Sequence, residues 1–266
     1  TKKEGSMFDL AMALGVLCAT EQAGVDADMK PLKTVDEYMF LGELSLSGEV
    51  RKINGVMPLL IEAREHGKKK IVIPRANANE ARYIRGIDVY TVGTLREAVA
   101  IIDGVDVTPI EKSDIVLSGD AYAAEDLKYV KGQFAAKRAL EIAAAGGHNL
   151  LMVGAPGGGK TMLAKCLPGI LPDMTESEAL ETTKIHSIAG ILDPEVGIVT
   201  KRPFRSPHHT TSRIALTGGG ANSHPGEISF AHNGVLFLDE LPEYPRSVLE
   251  ILRQPLEDGV ITVSRA

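Results

Sequence analysis

The sequence predicts an α/β protein with two domains built around parallel strands. Short apolar strands alternate with helices over residues 58–104, which is typical of parallel strand–helix layers. A glycine-rich loop at 154–159 also joins an apolar run to a helix, as in nucleotide-binding α/β domains. The sequence has 266 residues, whereas a domain of usual size has about 100–200 residues. We expect a first domain over residues 1–104, a linker over 105–124 and a second domain over 125–266.

The first predicted domain begins with a helix over residues 7–22, where leucines recur at helical spacing. Strand-like alternation follows over 38–53 and is broken by two glycines. The regular pattern after Pro58 then predicts a helix, a strand, a helix, a strand and a helix at 59–67, 69–74, 77–86, 87–93 and 94–104. An asparagine and Thr94 are the predicted N-caps of the last two helices.

The second predicted domain follows a stretch, residues 105–124, in which this rhythm is lost. An alanine-rich helix over 132–147 is closed by two glycines. Residues 148–154 are predicted to form a buried strand, and a helix begins at Lys160. Four apolar residues, Val235 to Leu238, predict a second buried strand.

Composition excludes several classes of function. The net charge of −6 argues against a simple basic DNA-binding module, although a few local loops could still contact DNA. No apolar stretch approaches the ~20 residues that a membrane span needs, and the N-terminus has no signal-peptide pattern. Cys18 and Cys166 lie in apolar helical contexts, so we interpret them as reduced core residues of a cytoplasmic protein.

Residues 154–161 fit the phosphate-binding pattern G-x-x-x-x-G-K-[ST] in full. Glycines allow successive backbone N–H groups to surround phosphates, the lysine reaches the β- and γ-phosphates, and the threonine hydroxyl ligates Mg²⁺. A chance glycine-rich turn is the alternative, and the flanking strand and helix patterns argue against it. The predicted nucleotide-binding residues are Gly154, Ala155, Pro156, Gly157, Gly158, Gly159, Lys160 and Thr161.

The second predicted strand ends in two acids. Asp239 is the expected Mg²⁺ ligand beside Thr161, and Glu240 is expected to orient or deprotonate the attacking water, with Lys160 as the other catalytic residue. Many strands end in solvated acids without chemical function, but the phosphate loop favours the catalytic interpretation. Because a kinase would not need the second acid, hydrolysis of ATP is favoured over transfer to a small molecule.

Two long stretches, residues 126–172 and 201–244, resemble the magnesium-chelatase branch of the AAA+ ATPases. Within that branch the sequence is most similar to the ComM/YifB group, over nearly the whole chain. The resemblance implies a Lon-protease-like α/β domain followed by a P-loop AAA+ domain of three αβα layers. It also implies that Val130, Gly132 and Gln133 line the adenine site.

Further expectations follow from this resemblance. It implies a homo-oligomeric ring, expected to be a hexamer, with an arginine finger supplied by a neighbouring subunit. That finger, the sensor motifs and the lid domain normally follow the point at which this sequence stops. We therefore expect the sequence to be part of a longer protein.

The resemblance to Lon proteases predicts a Ser–Lys dyad in the first domain. Met7 occupies the position of the nucleophile and Met57 the position of the catalytic lysine. We therefore predict no peptidase activity. A substitute pair of Ser6 and Lys52 is the alternative.

The stretch Lys201–Arg213 is rich in cationic and imidazole side chains. One interpretation is a surface that contacts DNA phosphate, and the other is a solvated loop whose histidines form local hydrogen bonds. The residues concerned are Lys201, Arg202, Arg205, His208, His209 and Arg213.

The leading functional hypothesis is an ATP-driven ring motor acting on branched or single-stranded DNA in recombination or natural transformation. Alternatives are a protein-remodelling chaperone, a chelatase-like ATPase and a nucleotide-controlled scaffold. The sequence itself supports ATP and Mg²⁺ binding, whereas the DNA substrate follows from the resemblance alone. No membrane partner is expected.

Overall fold

The computed structural model describes residues 6–32, 34–117, 126–220 and 223–262. The chain divides into two compact units. The first unit contains Thr1–Ile115 and His186–Ile198, and the second contains Val116–Ile185 and Val199–Ala266. Helices alternate with short strands, several of them paired in parallel, which confirms the predicted α/β class. The predicted domain limits stay a prediction.

Among the described residues, twelve α-helices and nine short strands are assigned. The helices are α1 Asp9–Ala19, α2 Thr34–Glu37, α3 Val56–Glu65, α4 Ala78–Ala81, α5 Leu95–Ile102, α6 Phe134–Gly146, α7 Lys160–Cys166, α8 Glu176–Ala189, α9 Arg213–Thr217, α10 Glu227–Phe230, α11 Arg246–Ile251 and α12 Arg253–Asp258. The strands are β1 Tyr38–Phe40, β2 Glu43–Leu44, β3 Val50–Arg51, β4 Lys70–Pro74, β5 Asp88–Val92, β6 Phe204–Arg205, β7 Gly218–Gly219, β8 His224–Pro225 and β9 Val235–Leu236. None of the described helices is long and apolar enough to cross a membrane.

The first unit is organised by a three-stranded parallel sheet with the order β1-β4-β5. Its central strand β4 buries Ile71, Val72 and Ile73 completely, as expected for a strand covered on both faces. The strands predicted over 69–74 and 87–93 are therefore confirmed. Thr94 accepts a hydrogen bond from the backbone N–H of Glu97 at 3.3 Å, which confirms the predicted cap of α5.

The helix predicted over 77–86 is only a single turn, α4. Asn77 stands at its N-cap position, but its side chain makes no capping hydrogen bond. Instead, its side-chain oxygen accepts a hydrogen bond from the Ile53 N–H at 3.1 Å. Its side-chain nitrogen donates to the Ile53 carbonyl at 2.8 Å and to the Glu80 carboxylate at 2.6 Å. The predicted asparagine cap was wrong because these buried partners compete successfully for the side chain.

A segment from the second half of the sequence, His186–Ile198, belongs to the first unit. The Ser187 hydroxyl donates to buried Glu80 at 2.6 Å, and the Asn79 amide donates to the Pro194 carbonyl at 2.8 Å. Gly197 has a φ of +74°, and a Cβ atom there would lie 2.4 Å from the Asn79 carbonyl carbon. No sequence pattern predicted that this segment would leave the second unit.

Residues 105–117 have no regular structure, and part of this stretch is attached to the first unit. The N–H groups of Ile110 and Ser113 donate to the carbonyls of Val89 at 2.8 Å and Arg82 at 3.1 Å. The remainder of the predicted linker, residues 118–124, lies outside the described residues.

The second unit packs helix α6 against helix α7. Leu140 of α6 and Leu163 and Cys166 of α7 share one apolar cluster with Val130. Gly147 follows α6 with a φ of +63°, so the predicted glycine stop of this helix is confirmed. Cys166 is buried and Cys18 of the first unit is half-buried, and both are thiols rather than halves of a disulfide.

Both strands predicted for the second domain differ from the structure. Residues 148–154 form no strand, and the side chains of Leu151 and Val153 are 72% and 90% exposed. Of the predicted strand Val235–Leu238, only β9 is regular, and it is half-buried in parallel pairing with β6. A strand requires a hydrogen-bonded partner, and no described segment pairs with residues 148–154.

Candidate nucleotide-binding site

The loop over residues 154–159 precedes α7 and has the backbone freedom that its glycines provide. Gly157 and Gly159 have φ values of +74° and +82°, a region in which side chains other than glycine are strained. The Gly158 N–H donates to the Ala155 carbonyl at 3.2 Å, and a Cβ at Gly158 would lie 3.1 Å from that oxygen. The loop therefore curves tightly and keeps its backbone accessible.

Lys160 is the first residue of α7, and its side chain folds back over the loop. Its Nζ atom donates to the carbonyl oxygens of Gly154 at 2.8 Å and Ala155 at 2.9 Å. These bonds hold the ammonium group at the loop, where phosphate oxygens can replace the two carbonyls as acceptors.

Thr161 and Asp239 are 78 residues apart in the sequence, and their side chains meet. The Thr161 hydroxyl donates to the Asp239 carboxylate at 2.8 Å. The sequence predicted both residues as Mg²⁺ ligands. A hydroxyl and a carboxylate are oxygen ligands of the kind that Mg²⁺ prefers, so this pair fits the metal.

Glu240 directly follows Asp239 and has a left-handed backbone conformation, with a φ of +52°. Its N–H donates to the Asp239 carboxylate at 2.9 Å. Its own carboxylate is largely exposed, and its Oε2 atom lies 3.3 Å from Nδ1 of His209. The sequence analysis missed this partner, because nothing in the spacing of the two residues indicates that they meet.

His209 lies among aromatic rings. Its ring is 4.0 Å from the ring of His208 and meets the edge of the Tyr244 ring at 6.5 Å, measured between centroids. Tyr244 is buried, and its hydroxyl donates to the Pro207 carbonyl at 2.7 Å. Burial and the negative charge of Asp239 raise the pKa of Tyr244, which keeps its hydroxyl protonated as a donor.

The three residues expected to line the adenine site lie before and at the start of α6. Val130 is buried against α7, and Gly132 has a positive φ with no atom near the position of a Cβ. The Gln133 side-chain amide donates to the Gly158 carbonyl at 3.4 Å. This bond connects Gln133 to the phosphate loop, and the adenine role of these residues stays a prediction.

Two arginines of the stretch Lys201–Arg213 are engaged within the second unit. Arg202 bonds the carbonyls of Pro172 at 2.6 Å and Asn233 at 2.7 Å and forms an ion pair with Glu178. A hydrogen bond from the Thr175 backbone and the Arg202 charge lower the pKa of Glu178, which keeps this pair ionised.

Arg205 is likewise paired, with two 2.7 Å bonds to the carboxylate of Glu227. For Arg202 and Arg205 the structure therefore favours a structural role over contact with DNA phosphate. His208 bonds the hydroxyl of Thr210 at 2.9 Å, as the local interpretation predicts. Arg213 is exposed at the start of α9.

The two positions of the expected Ser–Lys dyad are occupied by methionines in the first unit. Met57 is completely buried in α3. Met7 is half-buried in a short 3₁₀ turn, and its carbonyl accepts a hydrogen bond from the Gly42 N–H. Ser6 is half-buried and Lys52 is exposed. A methionine supplies neither the nucleophile nor the base that amide hydrolysis needs.

Comparison with known proteins identifies the family of this chain. The family described as "Magnesium chelatase, subunit ChlI" matches residues 126–266, and "Subunit ChlI of Mg-chelatase" matches residues 1–77. Competence protein ComM of Haemophilus influenzae is 45% identical over 99% of this chain and 51% of the relative. An uncharacterised protein, YifB of Escherichia coli, is 43% identical over 99% of this chain and 50% of the relative.

Part of the chain is also similar to a Lon protease. Lon protease 2 of Bacillus subtilis is 31% identical over 107 residues, which is 40% of this chain and 17% of that protein. The chain spans about half the length of ComM and YifB. With more than half of its residues matched, the chain belongs to the magnesium-chelatase ChlI family and is a relative of ComM and YifB.

Proposed function

From membership of this family, we propose that the protein binds ATP with Mg²⁺ and hydrolyses it at the site formed by the phosphate loop and Asp239. The observation that supports this most is the 2.8 Å bond between the Thr161 hydroxyl and the Asp239 carboxylate. This bond joins Thr161, which follows the loop lysine, to Asp239, which lies beyond the end of β9. A shared Mg²⁺ site requires these two residues to be close.

Each residue of the site has a defined task in this proposal. Backbone N–H groups of residues 154–159 surround the phosphates, and Lys160 transfers its hydrogen bonds from loop carbonyls to phosphate oxygens. Thr161 and Asp239 hold Mg²⁺, which neutralises charge on the phosphates when bound. Glu240 orients the attacking water and accepts its proton.

Phosphate release and ATP affinity, measured together in the protein at its natural length, test this function. Glu240→Gln removes the base but keeps the side-chain size, so we expect ATP binding to persist while hydrolysis falls about a hundredfold or more. Glu243→Gln, an exposed acid in the following turn, is the matched control. Hydrolysis that survives in Glu240→Gln would remove Glu240 from the reaction.

We further propose that the protein works as a ring-shaped homo-oligomer, a hexamer, and that its substrate is DNA. The family resemblance supports the ring, and the similarity to ComM, a competence protein, supports the DNA substrate. With a net charge of −6, DNA contacts must be local. Arg213 and His208 are exposed candidates in the stretch Lys201–Arg213.

Hydrolysis rates without DNA, with single-stranded DNA, with duplex and with a four-way junction test this substrate. We expect the strongest stimulation by the junction, and an effect that weakens as salt rises. A rate that no DNA changes would favour a protein substrate instead. The similarity of 40% of the chain to a Lon protease is the observation that supports that second candidate.

A further inference from the structure

The carboxylate of Glu240 has few local restraints. Its backbone is left-handed, its side chain is two-thirds exposed, and its N–H is already engaged by Asp239. A glutamate side chain has several rotatable bonds, so an exposed one samples many orientations. A base that must face one water molecule needs a neighbour that selects one of them.

His209 is the neighbour whose ring reaches that carboxylate, with Nδ1 3.3 Å from Oε2. The histidine is itself well supported. Its side chain is only 28% exposed, and its ring contacts the His208 ring and forms an edge contact with the ring of buried Tyr244. The Tyr244 hydroxyl is fixed in turn by the Pro207 carbonyl. The ring is therefore held in place independently of Glu240.

A single side-chain contact to a largely exposed carboxylate adds little to folding stability. The contact between His209 and Glu240 accordingly has its main effect on orientation. A supported ring beside an exposed carboxylate is the arrangement that holds a catalytic group in one geometry.

We propose that His209 is a positioning residue for ATP hydrolysis, holding the Glu240 carboxylate in the orientation from which it acts on the attacking water. This inference rests on the proposed ATPase function. It assigns no contact between His209 and nucleotide, so its removal must change kcat rather than ATP affinity.

The test measures kcat, KM and equilibrium ATP affinity for His209→Ala in the protein at its natural length with Mg·ATP. We expect kcat to fall about tenfold, because a misplaced catalytic group costs that much or more, with ATP affinity unchanged. His209→Asn places an amide nitrogen near the position of Nδ1 and restores most of the rate. His232→Ala is the matched control, because His232 forms a similar pair with Glu181, at 3.4 Å, in the same unit.

The outcomes separate the two proposals. If the wild type hydrolyses ATP and His209→Ala matches it, the positioning role is wrong and the ATPase function stands. The same conclusion follows if His209→Ala weakens ATP binding with kcat unchanged, if His209→Asn fails to rescue, or if His232→Ala is equally slow. If the wild type binds no ATP and releases no phosphate, both proposals are wrong.

Discussion

Met57 of the first unit and Thr161 of the second have opposite surroundings. Met57 occupies the position at which the resemblance to Lon proteases predicts a catalytic lysine, and it is completely buried in α3. Thr161 is exposed at the start of α7 and is held by a polar bond to Asp239. In the first unit a packed apolar side chain occupies the predicted catalytic position, whereas the second unit keeps polar groups accessible.

The difference shows how burial and polar bonding distinguish residues that stabilise the fold from residues that take part in chemistry. Buried apolar side chains stabilise a fold and are inert toward water and substrate. The Thr161 hydroxyl bonded to the Asp239 carboxylate, and the Lys160 ammonium bonded to the Gly154 carbonyl, contribute little to stability, so their arrangement indicates function. We infer that the first unit has a structural role and that the second unit carries the proposed ATPase site.

Met57→Ala should have the largest effect and should act on stability. Removing a buried methionine leaves a cavity, and we expect the free energy of unfolding to fall by about 3 kcal/mol. Met12→Ala is the matched control because Met12 is 57% exposed in α1, and it should change stability by less than about 0.5 kcal/mol. Urea unfolding measures both variants. Equal values for the two would contradict the core role of Met57.

Asp239→Asn should have the next largest effect and should act on hydrolysis rather than on folding. Loss of the carboxylate charge weakens Mg²⁺ binding, and we expect the rate to fall about a hundredfold, or ~2.7 kcal/mol. Raising the Mg²⁺ concentration should recover part of the rate. Asp258→Asn, an exposed acid at the end of α12, is the control. A wild-type rate in Asp239→Asn would place the metal site elsewhere.

The same substitution in two apolar segments sharpens the contrast further. Val72 of β4 is completely buried, and Val72→Thr should cost about 2 kcal/mol because the new hydroxyl lacks water. Val153 is 90% exposed, so Val153→Thr should cost less than about 0.5 kcal/mol. Thermal unfolding compares them directly. A large loss in Val153→Thr would show that this segment is covered in solution.

For the last prediction, labelling of Ser6, we expect no effect. A fluorophosphonate probe that reacts with activated serines should leave Ser6 unlabelled, because Met7 and Met57 occupy the expected positions of the nucleophile and the lysine. Intact-mass measurement detects one added probe molecule. Labelling that disappears in Ser6→Ala and in Lys52→Ala would restore a peptidase role to the first unit.

Local signals in the sequence were sufficient for much of the fold. The strands β4 and β5, the Thr94 cap and the glycine stop after α6 all depend on residues close together in the chain. The phosphate loop is of this kind as well, because its glycines and Lys160 are contiguous.

Features that depend on distant partners could not be predicted in this way. Asn77 lost its expected capping role to buried bonds with Ile53 and Glu80. The strand expected over 148–154 has no described partner. The segment His186–Ile198 belongs to the first unit because of contacts such as the bond between Ser187 and Glu80. The contact between His209 and Glu240 has the same origin, since folding alone brings them together.

The most direct test of the division between the two units is a calorimetric titration of Mg·ATP into the protein at its natural length carrying Lys160→Ala. Lys165→Ala, an exposed lysine on the same helix, is the control. We predict that the wild type and Lys165→Ala bind ATP alike, while Lys160→Ala binds at least about tenfold more weakly because it lacks charge-assisted bonds to phosphate. Wild-type affinity in Lys160→Ala would contradict the account, because ATP would then bind outside the phosphate loop.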